Sequence, residues 1–141
     1  MRPFIAAVLF VATFCYASVA SQEVGDASIV FFRAKCPPVA VKGTLVIDGV
    51  KHSVLSVRRY SIVHLPSGKH DLKFTFPAWA GTPSKKLVVE AAKDSTRYFY
   101  YTTDMGLMIG GSVTVTTLTP QLIEISEETA KRLMTEFERV P

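Results

Sequence analysis

The sequence predicts a mainly β protein: an antiparallel β-sandwich of about seven strands with a short C-terminal amphipathic helix. Three observations carry that prediction. Apolar and polar residues alternate with period two over most of the chain. Prolines, glycines and Asp-Gly or Ser-Gly pairs separate the alternating runs at short spacing. The helical period enters only after Ile125.

The chain opens with a segment that does not belong to that fold. Arg2 provides a positive start, Phe4 to Ala12 begin an apolar run, and Ser18-Val19-Ala20 places small residues at the positions a signal peptidase accepts. Residues 1–20 therefore read as a cleaved export signal, so that the mature chain is periplasmic or secreted and does not span the membrane. The apolar run is shorter than the roughly 20 residues of a spanning helix. Cys15 follows Phe14 inside that run, which is the wrong context for a lipid anchor. Residues 21–27 are expected to be a linker, 28–126 the sandwich and 127–139 the helix.

Cleavage at Ala20 leaves 121 of the 141 residues, enough for one domain with a single core. Loss of Arg2 leaves 15 Lys+Arg against 12 Asp+Glu, a net charge of +3. The basic residues are scattered, and no stripe of interleaved aromatics accompanies them, which argues against nucleic acid as a partner. Only Cys36 remains after cleavage, so no intrachain disulfide forms and the core alone must hold the fold. Cys36 beside Pro37-Pro38 reads either as a small core residue at a strand end or as a free reactive thiol.

Ser28-Ile29-Val30-Phe31-Phe32-Arg33-Ala34 is a β-branched and aromatic run, stopped by prolines that cannot donate to a ladder. Thr44 to Ile47 and Val50 to Val54 flank Asp48-Gly49, the signature of a tight type I′ hairpin. Tyr60 to Leu65 and His70 to Phe76 are predicted to form a second hairpin through Pro66-Ser67-Gly68-Lys69, with Leu65 opposite His70, Val63 opposite Leu72 and Ser61 opposite Phe74. In that register Val63, Leu65, Leu72, Phe74 and Phe76 share one face, and His64 meets Asp71 on the other. Further strands are expected at 86–90, 96–102, 112–118 and 121–125, the last two divided by Pro120. Ala130, Leu133, Met134 and Phe137 then recur at helical spacing behind Ser126, a good N-cap, with Glu127 and Glu128 in the first turn.

The Val46-Ile47-Asp48-Gly49-Val50 hairpin, the Leu65-Pro66-Ser67-Gly68-Lys69-His70 turn and Lys73-Phe74-Thr75-Phe76 resemble PEGA-type sandwich domains. With Ile29 to Arg33 and Arg97 to Tyr101 added, the order over residues 28–126 resembles the bacterial domain of unknown function family 2846. The resemblance implies an exported envelope protein with a prealbumin-like sandwich and no catalytic residues to carry over. Many such relatives look like lipoproteins, and the context of Cys15 departs from that pattern.

No catalytic, metal or cofactor constellation emerges from the spacing, and the expected cofactor is none. His52, His64 and His70 lie in different turns and strands, without the tight spacing or clustered carboxylates of a zinc site. His64 and Asp71 are a weak polar pair that reads as a cross-strand contact or as an acid–base couple. Asp48, Gly49, Pro66 and Gly68 are turn-formers. Leu107, Met108 and Ile109, inside the glycine-bracketed segment 105–111, read as a partner-docking tip or as a hairpin loop folded over the sandwich end. Trp79, between Pro77 and Pro83, is either a recognition residue or a plug over a sheet edge, and Tyr98, Tyr100 and Tyr101 either a stacking surface or an ordinary sheet ladder. The expected function is a non-enzymatic envelope module that binds a protein or the cell wall. The alternatives are a small exported hydrolase using His64 and Asp71 or the Cys36 thiol, and a small-ligand carrier, which needs a sizeable apolar cavity.

Overall fold

The computed structural model describes residues 26–110 and 113–141, so residues 1–20, expected to be an export signal, and most of the expected linker lie outside the described residues. The strands are β1 (Ala27–Arg33), β2 (Gly43–Ile47), β3 (Val50–Leu55), β4 (Arg59–Leu65), β5 (Gly68–Thr75), β6 (Lys85–Ala91), β7 (Thr96–Gly110), β8 (Val113–Ile125) and β9 (Glu138–Arg139), with helix α1 (Glu127–Glu136) before β9. Among the described residues they number nine rather than about seven. A five-stranded sheet in the order β8-β7-β1-β4-β9 faces a four-stranded sheet in the order β3-β2-β5-β6.

β1 lacks alternation because both of its faces are covered. Ile29 and Phe31 enter the core between the sheets, beside Leu45, Ile47, Leu72, Phe74 and Phe99. Val30 and Phe32 point the other way, against Ala130, Leu133, Met134 and Phe137 of the C-terminal segment. Each such buried side chain contributes about 1.5–3 kcal/mol. The sheets are mostly antiparallel, but β1 runs parallel to β7 and β4 parallel to β9. α1 has the predicted cap, with the Ser126 hydroxyl accepting from Thr129 N, and the Glu127–Lys131 pair closes at 2.7 Å. The helix stops at Glu136, short of the predicted 139. Phe137 turns extended, and Glu138 and Val140 then donate to the Arg58 and Tyr60 carbonyls at the β4 edge.

Three strand assignments change, one of them at residues 105–110, which continue β7 and do not form a loop. The Tyr60–Leu65 and His70–Phe76 runs do not form a hairpin: β4 pairs with β1 and β9, and β5 pairs with β2 and β6. Leu65 faces Ala27 and Val63 faces Ile29, while Leu72 faces Ile47 and Leu87. The two residues between β4 and β5 form a corner from one sheet to the other. Ser67 N donates to Asp26 Oδ1 at 2.6 Å, and Gly68 adopts φ 139°, a conformation that favours glycine. The inward parity of Val63, Leu65, Leu72 and Phe74 is as predicted, because strands facing each other across a sandwich obey the same alternation as neighbours within a sheet. The third change is at Pro120, which does not divide two strands. It lies within β8, opposite Thr103, where an edge strand can leave one side without ladder donors.

Candidate functional site

Four places concentrate polar or unusual chemistry. The first is Arg33, the largest fully buried side chain, which ends β1 on the inner face. Its guanidinium donates to the carbonyls of Pro38 (2.6 Å), Val41 (2.6 Å) and Leu55 (2.7 Å), and lies 5.0 Å from the Phe76 ring centre. Burial lowers its pKa, against Cys36 and Tyr101, which raise it. Tyr101 is its register partner on β7, also fully buried, and burial followed by Cys36 pushes the phenol up to about 12 while Arg33 pulls it down. Cys36 is buried in the same core cluster. This end of the sandwich is a structural plug that ties the 34–42 loop to the sheets. Its signal in the sequence, a lone arginine inside an apolar run, is too common to identify it.

The second is the Asp48-Gly49 turn, as predicted, with positive φ at both residues (51° and 79°). Asp48 also serves the neighbouring strand: its Oδ2 lies 2.6 Å from His70 Nδ1, and its Oδ1 accepts from Asp71 N at 2.8 Å. His70 Nε2 donates to the Pro66 carbonyl at 2.7 Å. Both ring nitrogens thus face acceptors, which suits the imidazolium. Burial opposes the charge on His70, but the bonds to Asp48 and Pro66 outweigh it and raise the pKa. Burial likewise opposes the Asp48 carboxylate, and the bonds from His70 and Asp71 outweigh that and lower its pKa.

A pH dependence follows. The raised His70 pKa contributes stability that is complete below about 6.5 and is lost as pH rises through the folded value. The lowered Asp48 pKa contributes stability present above about 4 and lost as pH falls. The melting temperature is therefore expected to drop from pH 6 to pH 8.5 in the wild type. That slope should flatten in Asp48→Asn, which tolerates the same positive φ. Parallel profiles for the two proteins would contradict the assignment.

The third place is His64, which does not meet Asp71. Its Nδ1 is hydrogen-bonded to Ser28 Oγ at 2.9 Å, across the β1–β4 register, whereas Asp71 pairs with Lys86 at 2.8 Å. The separation follows from the corner between β4 and β5, which puts the two residues in different sheets. A hydroxyl beside an imidazole is a beginning for nucleophilic chemistry, but among the described residues no carboxylate bonds to His64, so the orienting group of a triad is missing. Cys36 is buried and the described hollows are open, the largest holding about 370 Å³ among mostly polar or charged side chains, so neither the thiol hydrolase nor the ligand carrier gains support. Among the described residues no three His, Cys, Asp or Glu gather as a metal site, and no helix is long and apolar enough to cross a membrane.

The fourth place is the region of Leu107, Met108 and Ile109, which is not a loop. These residues belong to β7, opposite Thr116, Val115 and Thr114 of β8. β1 accompanies β7 only as far as Tyr101, so Thr102–Gly110 and their β8 partners continue as a two-stranded arm. The tip residues 111 and 112 lie outside the described residues. Trp79 sits in a single 3₁₀ turn, Ala78–Ala80, and is 78% exposed, so it plugs no edge. Tyr98 and Tyr100 are half-buried toward α1, as an ordinary sheet ladder.

Comparison with protein-family models, with curated proteins and with solved structures found no match.

Proposed function

We propose that the chain is an exported, non-enzymatic envelope module that binds a partner protein through the β7–β8 arm. The arm is the observation that carries this reading. Past Thr103, which is buried and donates to the Pro37 carbonyl, seven residues of β7 continue, about 23 Å of extended backbone. Two strands on their own are marginal in water, so an arm of this length adds little to the stability of the domain. Its segment Met105-Gly106-Leu107-Met108-Ile109-Gly110 holds only apolar residues and glycine. Unpaired strand edges next to apolar positions suit recognition by strand addition.

The replacement L107T/M108T/I109T keeps strand-forming residues and removes apolar surface. Crosslinking and pull-down from envelope extract should recover a discrete partner with the wild type and at least tenfold less with the variant, at an unchanged melting temperature. Equal recovery by both proteins would refute the proposal.

A further inference from the structure

The outer face of the four-stranded sheet carries a separate feature. Val46 on β2 is the register partner of Lys51 on β3 and of Lys73 on β5, and Lys73 is the partner of Lys86 on β6. Three exposed lysines thus form one row across all four strands, over about 14 Å at the usual strand spacing. A bulge at Leu45/Val46 adds His52 next to Lys51 at the β3 end. Like charges directly opposite each other destabilise a sheet, and Lys73 and Lys86 are such a pair. Lys86 turns to Asp71 at 2.8 Å, while Lys51 and Lys73 have no ion pair among the described residues.

An open hollow of about 310 Å³, lined by Val46, Gly49, Asp71, Lys73 and Lys86, runs against the row. On one side the next row is uncharged, Val54, Thr44 and Thr75. On the other it holds Asp71 and Val88, with the half-exposed Asp48 at the β2 end bonded to Asp71 N, and beyond these Lys69 faces Glu90. The positive charge is therefore one-dimensional.

We infer that this row binds a linear polyanion lying across the strands, a polymer with phosphate groups repeated along its length. The ammonium is a compact point charge that meets the phosphates of a flexible chain at variable angles, whereas a planar guanidinium holds carboxylate or phosphate in one fixed bidentate geometry. A flat anionic bilayer would press Asp71 and Glu90 against like charge. A single-stranded nucleic acid would need aromatic platforms, and among the described residues His52 is the only ring in the row. The surface is distinct from the β7–β8 arm, so the two proposals stand or fall separately.

The test measures binding of medium-chain inorganic polyphosphate by titration calorimetry. Wild type should bind, with affinity falling about tenfold or more between about 50 and 200 mM salt, as counterion release requires. K51Q/K73Q/K86Q should weaken binding at least tenfold and leave the melting temperature equal or higher, because the repulsion is gone. K35Q/K93Q/K131Q, which removes the same charge elsewhere, should stay within twofold of wild type, as should the arm variant. Equal losses in the two lysine variants would overturn the proposal. So would capture of the protein by phosphatidylglycerol vesicles without binding of polyphosphate, which would assign the face to a membrane.

Discussion

Replacing Arg33 by Met is expected to lower stability by about 3 kcal/mol and the melting temperature by about 10 °C. The guanidinium satisfies three carbonyls from three places in the chain: Pro38, Val41 and Leu55. Methionine fills much of the volume and removes the cost of burying a charge, but it leaves those acceptors unpaired, each at about 1–3 kcal/mol. Part of that cost returns because Pro38 and Val41 are only half-buried and can reach water. Leu55 cannot, since it is fully buried. Arg33→Lys should recover little, because one ammonium on a flexible stem cannot serve acceptors spread around a planar fork. Thermal melts of the two variants check this, and a shift below about 2 °C in Arg33→Met would contradict the structural role.

The second large effect is expected at Gly43. Valine is the better strand residue by propensity, so position alone predicts a small gain. Gly43 opens β2 on the inner face, however, and a Cβ there would overlap Cζ and Cε1 of Phe74. Phe74 cannot swing aside: it is fully buried, with ring centres of Phe31 at 5.0 Å, Phe76 at 5.3 Å and Tyr101 at 4.6 Å. Gly43→Val should therefore cost about 2–3 kcal/mol, the upper part of the roughly 1–3 kcal/mol usual for an overpacked core. Combining Gly43→Ala with Phe74→Leu should cost less than the sum of the two single changes, since the smaller side chain makes room. Strict additivity in urea denaturation would show that the contact is not the cause.

Local chemistry was legible in the sequence wherever it acts over a few residues. Asp48-Gly49 specified its turn because type I′ geometry demands positive φ at both positions, and the structure has it. Ser126 and the Ala130, Leu133, Met134 and Phe137 stripe specified a capped helix and the side it buries. The candidate sites were less legible. The register that puts His64 opposite Asp71 requires one sheet where there are two, so His64 meets Ser28 instead. The glycines that flank Leu107, Met108 and Ile109 resemble turn residues and suggest a loop or tip, yet Gly106 and Gly110 lie within paired β7. The lysine row was invisible, since Lys51, Lys73 and Lys86 are far apart in the chain and meet only through three register pairings.

By itself the sequence determined a mainly β chain, the inward side of β4 and β5, the β2–β3 turn and the terminal helix. Those properties depend on period and on backbone conformations set by near neighbours. Only the tertiary structure decided which strands pair, that β1 lies between antiparallel β4 and parallel β7, and that α1 forms a third layer. Alternation reports the side a residue faces, but not the strand it faces. In a sandwich both sheets bury the same parity, so the choice of partner rests on corners such as Pro66-Ser67-Gly68 and on bonds between distant residues, Asp26 with Ser67 and Arg33 with Leu55.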